Sequence, residues 1–136
     1  MIKKFLTFFT NFSRGVKAVI LICIDGLIIG FSMLLSFAVR FDPASIEYKY
    51  NLFAYGAWVF LGIQLLALMI SGLYLSVLRF AGTELLVLLL RSVLLGAGLF
   101  ALLDLMMEEF LMPRSIIVMN ASFTFLGLLS IRLMIR

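Results

Sequence analysis

Histidine is absent from this 136-residue sequence, and cysteine occurs once, as Cys23. These shortages exclude a disulfide framework, a zinc site of cysteine and histidine ligands, and histidine-based acid–base catalysis. Charge is scarce as well: 13% of the residues are charged, against about 25% in an average soluble domain. The net charge of +4 is small and unevenly placed along the chain. It therefore indicates orientation in a membrane rather than binding to nucleic acid.

Hydrophobic residues, by contrast, make up 65% of the chain, where about 45–50% is usual. The mean hydropathy is +1.23. A soluble domain of this length could not bury so much apolar surface, and disordered chains are poor in the aliphatic and aromatic residues found here. The composition is that of a polytopic membrane protein.

Four apolar stretches are long enough to cross a bilayer, which takes about 20 helical residues for a hydrocarbon core of roughly 30 Å. They cover residues 18–39, 52–73, 85–107 and 115–135. None alternates with a period of two, and a helix satisfies its own backbone hydrogen bonds in lipid. Short connections make neighbouring helices antiparallel. We therefore expect an all-α polytopic membrane four-helix bundle, with residues 18–136 as one transmembrane domain.

Residues 1–17 differ from the four stretches because phenylalanines alternate there with basic and polar side chains. This pattern predicts an amphipathic helix lying in the headgroup region, with its basic residues facing anionic lipid. A frayed tail is the alternative. A signal peptide is disfavoured because no cleavage site of small residues follows the first apolar run.

The basic residues predict the orientation of the bundle, since cytoplasmic loops carry the excess of lysine and arginine. Eight fall on one side, and we expect both termini there: Lys3, Lys4, Arg14, Lys17, Arg79, Arg91, Arg132 and Arg136. Three fall on the other side: Arg40, Lys49 and Arg114. The predicted location of both termini is the cytoplasm.

Four charged residues lie within the apolar stretches, Asp25, Arg91, Asp104 and Arg132. They need partners, because an ionisable group inside the bilayer costs about 2.5–3.5 kcal/mol. Asp25 in the first stretch and Arg91 in the third enter to similar depths. We expect these two to form an intramembrane ion pair, with Arg132 as the competing partner of Asp25. The alternative is that Arg91 extends to the interface and Asp25 is a protonated packing residue.

Small and hydroxyl residues mark the helix faces that we expect to be buried. Ser32 and Ser36 share a face with Asp25, beside the pair Gly26 and Gly30 whose spacing allows close helix approach. In the fourth stretch, a similar set indicates contacts between helices rather than a ligand site: Asn120, Thr124 and Gly127.

Motifs of soluble enzymes for binding phosphate or metal, or for nucleophilic catalysis, do not occur in the sequence. A series of loop and helix-end residues nevertheless resembles the N-terminal four-helix membrane domain of bacterial nucleotide-sugar 4,6-dehydratases and epimerases of polysaccharide biosynthesis. The likeness covers roughly residues 16–136, and Pro113-Arg114-Ser115 is its most specific element. The full series is Asp25, Arg40-Phe41, Gly72-Leu73-Tyr74, Arg79-Phe80, Glu84, Met112-Pro113-Arg114-Ser115, Arg132 and Arg136.

This resemblance implies that a cytoplasmic Rossmann domain binding NAD(P) follows Arg136 and acts on a nucleotide sugar such as UDP-N-acetylglucosamine. Residues 1–136 would then be its anchor in the bacterial inner membrane, with no catalytic, cofactor or metal residue of their own. The implied partners are the lipid bilayer, the Rossmann domain, further copies of the protein, and enzymes that act on polyprenyl-linked glycans. The structural candidates in the anchor are Asp25, Arg40, Arg79, Arg91, Pro113, Arg114, Ser115 and Arg132.

Two alternative functions stay open at this point. The membrane domains of polyprenyl-phosphate sugar-1-phosphate transferases look similar and would predict a different enzyme after the same kind of anchor. Small four-helix multidrug exporters have a similar length and exchange protons on one carboxylate of their first helix, which Asp25 would supply. Arg91 within the bundle and the charged outer loop argue against the exporter.

Overall fold

A computed structural model describes residues 13–40, 46–76, 82–107 and 113–135, together with residues 3, 4 and 7. Helices account for nearly all of these residues, and no strand occurs among them. The helices are α1 (Arg14–Arg40), α2 (Ile46–Ile70), the short α3 (Leu73–Ser76), α4 (Thr83–Met106) and α5 (Arg114–Ile135). The all-α fold with four long helices is as predicted.

The four long helices form a closed, antiparallel ring. Helix α1 packs against α2 and α5, and α4 packs against the same two neighbours. Phe60 of α2 meets Phe100 of α4 edge-on in the core, with ring centroids 5.0 Å apart and planes inclined by 69°. We call the end that holds the start of α1, the end of α5 and the helix α3 the terminal end. The opposite end is the distal end.

The helix boundaries differ from the apolar stretches because hydropathy marks the membrane-thick part of a helix and not its ends. Helix α1 begins at Arg14 rather than at residue 18, and α2 runs from Ile46 to Ile70 rather than from 52 to 73. Gly72 ends α2 with a φ of +68°, a conformation that favours glycine. The Gly72 N–H donates to the Met69 carbonyl at 3.1 Å and so closes the last turn.

The exterior of the bundle is apolar, unlike that of a soluble protein, and polar groups lie within its largely apolar interior. Large apolar side chains such as Leu27, Trp58 and Met134 are about three-quarters exposed. Buried polar side chains, in contrast, come from all four long helices: Asp25, Ser32, Ser36, Gln64, Ser92, Asp104, Asn120, Thr124 and Arg132. Exposed apolar surface on this scale requires a nonpolar surrounding such as lipid.

Within the part of the chain that the structure describes, three helices are long and apolar enough to cross a membrane. The qualifying stretches are Gly15–Arg40, Thr83–Met106 and Arg114–Met134. In α2, the apolar part of the described chain is the shorter stretch Ala54–Ile70. Together with the apolar exterior, these lengths identify a membrane protein.

In the N-terminal segment, Lys3, Lys4 and Thr7 are exposed and helical. The Thr7 hydroxyl donates to the Lys3 carbonyl at 2.9 Å, one helical turn earlier. Exposed lysines are consistent with a helix on the membrane surface. Most of the segment lies outside the described residues, so its interfacial placement stays a prediction.

Candidate functional site

The most prominent feature of the interior is an ion pair between the first and last helices. The Arg132 Nη2 atom of α5 donates to the Asp25 Oδ2 atom of α1 at 2.8 Å, and both side chains are 1% exposed. The prediction that Asp25 pairs with Arg91 is therefore wrong, and the competing partner is the correct one. The pair joins residues that are 107 positions apart in the chain.

Arg91 cannot reach Asp25 because α4 turns a different face to the core. The buried residues of that helix are Leu89, Ser92, Val93, Gly96, Phe100 and Asp104. Arg91 precedes Ser92 by one residue, which is a rotation of about 100° on a helix with 3.6 residues per turn. It is exposed on the outer surface of the bundle. This exposure is consistent with the alternative in which Arg91 extends to the interface.

Tyr74 lies next to the Asp25–Arg132 pair, a position that the sequence did not predict for this residue. The positive φ of Gly72 turns the chain back onto the bundle, so that Leu73 is fully buried in the core. The next residue, Tyr74, lies under Arg132, whose Cζ atom is 5.7 Å from the ring centroid. A guanidinium over an aromatic face at this distance is a stabilising cation–π contact. We define the ion-pair cluster as Asp25, Arg132 and Tyr74.

The phenol of Tyr74 is uncharged at neutral pH. Tyr74 belongs to the short helix α3 and not to one of the four long helices. Burial, together with the nearby Asp25 carboxylate, raises the pKa of Tyr74 above its ordinary value. Deprotonation would place a second negative charge beside Asp25. The cluster therefore holds one positive and one negative charge and is neutral overall.

Hydrogen bonding within the cluster is incomplete among the described residues. Asp25 Oδ1, Arg132 Nε and Nη1, and the Tyr74 hydroxyl are buried without a hydrogen-bond partner there. The contact between Arg132 and Asp25 thus uses one nitrogen and one oxygen, not the two-pronged geometry available to an arginine and a carboxylate. Charge neutralisation, rather than a saturated hydrogen-bond network, is what this cluster supplies.

Gln64 of α2 is a second buried polar residue that sequence analysis overlooked. It is 1% exposed and lies against Gly96 of α4, where an added Cβ would be 2.7 Å from the Gln64 Cδ atom. The signal was present in the sequence, because Gln64 is the only amide in the apolar stretch 52–73. A lone amide in such a stretch is expected to face other helices.

The predicted polar face of α1 is buried. Ser32 and Ser36 are 4% and 0% exposed, and their hydroxyls donate to the carbonyls of Ile28 and Ser32 at 2.7 and 2.8 Å. These bonds within the helix satisfy the hydroxyls without a neighbouring helix. An added Cβ at Gly26 would be 3.8 Å from a Leu65 methyl, an ordinary contact. The small residues of α1 are therefore not what brings α1 and α2 together.

The side chains of Asn120 and Thr124 in α5 were expected to contact other helices, but the hydrogen bond between them lies within α5. Asn120 and Thr124 are fully buried, and the Thr124 hydroxyl donates to Asn120 Oδ1 at 3.3 Å within the same helix. The close contact with another helix comes from Gly127, where an added Cβ would be 2.6 Å from the Ile28 Cγ2 atom of α1.

The remaining candidate residues lie at the distal end or outside the described chain. Arg40 ends α1 and is exposed, and Arg114 begins α5 and is exposed. Pro113 accepts a hydrogen bond on its carbonyl from the Ile116 N–H at 3.0 Å, which starts α5, and Ser115 is half-buried in the first turn. Arg79 lies outside the described residues.

The structure does not bring Arg114 and Arg132 together, because 18 residues of helix separate them by about 27 Å. Among the described residues, no group of three or more histidine, cysteine, aspartate or glutamate side chains could hold a metal ion. Comparisons of the chain with protein-family models, with curated proteins and with solved structures find no match.

Proposed function

We propose that residues 1–136 anchor a cytoplasmic nucleotide-sugar 4,6-dehydratase or epimerase of bacterial surface-polysaccharide synthesis in the inner membrane, with both termini in the cytoplasm. The resemblance of the loop and helix-end residues motivates this choice of enzyme. The observation that carries the anchoring role is the Asp25–Arg132 ion pair, in which each buried charge has the other as its partner. Because its buried charges neutralise each other, such a bundle is suited to remain inserted in the bilayer.

The same pair argues against the exporter. A carboxylate that exchanges protons for cationic substrates must be free to release its counter-ion in each cycle. Asp25 is held by a guanidinium at 2.8 Å, in a core where both side chains are shielded from the surroundings. Loss of that contact would strand Arg132 inside the bundle, which is strongly unfavourable.

A titration experiment tests the anchoring role. The purified 136-residue protein, in detergent, is titrated calorimetrically with UDP-N-acetylglucosamine and separately with NAD. We expect no heat of binding from either compound, because both would bind to the domain that follows Arg136. Micromolar affinity for either would contradict the proposal.

The reading frame of the natural gene tests the choice of enzyme. We expect it to continue past Arg136 into a strand, a glycine-rich turn and a helix, the arrangement that places a pyrophosphate at a helix N-terminus. A stop codon at that point would contradict the proposal. A polyprenyl-phosphate sugar-1-phosphate transferase sequence would replace the dehydratase with that enzyme and leave the anchoring role unchanged.

A further inference from the structure

Helix α4 carries a shallow apolar groove on the outside of the bundle, with one arginine at its end. The groove has a volume of about 680 Å³ and is lined mainly by leucine side chains between Val87 and Leu102, together with Arg91. Gly98 lies in the half of the groove that is farther from Arg91, and an added Cβ there would meet nothing within 4 Å. Apart from the guanidinium, this surface is suited to a hydrocarbon chain.

Arg91 lacks a counter-ion within the described residues, where it has neither an ion pair nor a hydrogen bond. It also borders a second, smaller cavity of about 310 Å³, which Thr83 and Glu84 line at the start of α4. Side chains on a helix tilt toward its N-terminus. The guanidinium therefore reaches from the groove toward the terminal end of the bundle, where the bilayer meets water.

We propose that this groove binds one anionic phospholipid, with the lipid phosphate on the Arg91 guanidinium and an acyl chain along α4 toward Leu102. A planar guanidinium matches the oxygens of a phosphate, and such charge-assisted hydrogen bonds are strong. From Arg91 to Leu102 the helix rises about 16 Å. One leaflet contributes about 15 Å of hydrocarbon, half of the roughly 30 Å core.

A second copy of the chain fits this groove less well than a lipid does. Two copies related by a two-fold axis along the membrane normal would bring residues of equal depth together, so Arg91 would face Arg91. Like charges repel strongly where water is scarce. Glu84 could not relieve this repulsion, because it lies seven residues, or about 10 Å, nearer the start of α4. A lipid phosphate supplies the missing charge instead.

Native mass spectrometry of the delipidated protein tests the proposal. Phosphatidylglycerol and phosphatidylcholine are titrated separately, and we expect one phosphatidylglycerol to bind at least tenfold more tightly than phosphatidylcholine. Arg91→Gln should lower the affinity for phosphatidylglycerol at least tenfold. Arg114→Gln is the matched control, because it removes an exposed arginine at the distal end and should leave this affinity unchanged.

A second variant separates the groove from its charge. Gly98→Leu fills the open space on α4 while keeping Arg91, and it should also weaken binding of phosphatidylglycerol. Both Arg91 and Gly98 are exposed, so both variants should keep the thermal stability of the parent protein. Equal affinity in the parent and Arg91→Gln would overturn the proposal, as would an equal loss in Arg114→Gln. Spontaneous cross-linking of Leu94→Cys in a Cys23→Ser background would assign the groove to a second copy instead.

Discussion

At the scale of single residues, the Asp25–Arg132 pair decides whether the interior of the bundle is neutral. Asp25 lies 11 residues after the start of α1, and Arg132 lies three residues before the end of α5. Antiparallel packing brings them to the same level. Both side chains are buried, so water cannot replace a missing partner. The loss of one side chain therefore leaves the other as an uncompensated buried charge.

Removal of one partner should therefore destabilise the protein strongly. We expect Asp25→Asn and Arg132→Gln each to lower the free energy of unfolding by about 3–5 kcal/mol. The double variant should lose much less than the sum of the two single losses, because no stranded charge remains. Thermal unfolding in detergent, followed by circular dichroism, measures all three changes.

Arg91→Gln is the control for this cycle. Arg91 is exposed on the opposite face of α4 from the core, so its replacement should change the free energy of unfolding by no more than about 0.5 kcal/mol. Additive losses in Asp25→Asn and Arg132→Gln would contradict the coupling. A large loss in Arg91→Gln would mean that this residue also stabilises the fold.

At the scale of helices, the sequence predicts the elements and one buried face well. The four long apolar stretches predict four long helices, and the spacing of Asp25, Ser32 and Ser36 on one side of α1 identifies the face that is buried. The partner of Asp25 is harder to predict. Depth in the membrane follows from position along a helix, but Arg91 and Arg132 have similar depths, and depth does not determine which way a side chain points.

Helix periodicity contains the information that separates these two arginines. Asn120, Thr124, Leu128 and Arg132 are spaced by four residues and are all buried, so they share one face of α5. Arg91 instead shares its face with Val87, Leu94 and Leu95, side chains that are exposed on the outside of α4. The turn at Gly72 that brings Tyr74 to the cluster has no such signature, because it depends on where α2 ends.

The contact between Gly127 and Ile28 sets how closely α5 approaches α1. Gly127→Ala should destabilise the protein by about 1–3 kcal/mol, since overpacking of a tight contact forces neighbouring groups to shift. A β-branched side chain such as that of Ile28 has few rotamers, so it cannot easily move away from the added methyl group. Thermal unfolding in detergent would show the loss as a lower midpoint.

Two further variants test the origin of this effect. Gly62→Ala adds a methyl group within α2 where nothing lies within 4 Å, so it should be neutral or stabilising. In the Ile28→Ala background the Cγ2 atom is gone, and Gly127→Ala should no longer destabilise. If Gly62→Ala and Gly127→Ala have the same effect, close approach at Gly127 is not the cause.

At the scale of the whole molecule, we predict that all four long helices span the membrane, which would place the start of α1 and the end of α5 on the same side. Cysteine labelling can test this arrangement and its predicted direction. In a Cys23→Ser background, Lys3→Cys and Arg114→Cys each introduce one exposed thiol, the first in the N-terminal segment and the second at the start of α5. An impermeant maleimide added to intact spheroplasts should react with Arg114→Cys and not with Lys3→Cys.

Inside-out vesicles provide the complementary measurement. There the reactivities should be reversed, because the positive-inside bias places Lys3 in the cytoplasm. Labelling of both positions from the same side would be incompatible with four spanning helices. The reversed pattern in both preparations would keep the bundle and invert its orientation.

The long sequence separation within the ion pair has a consequence for biosynthesis. Asp25 leaves the ribosome 107 residues before Arg132, which corresponds to roughly 5–20 s at about 5–20 residues per second. During this interval α1 must reside in the translocation machinery or the bilayer with its carboxylate either protonated or supported by another partner. Arrival of the last helix ends that interval, so the pair couples retention of α1 in the membrane to completion of the nascent bundle.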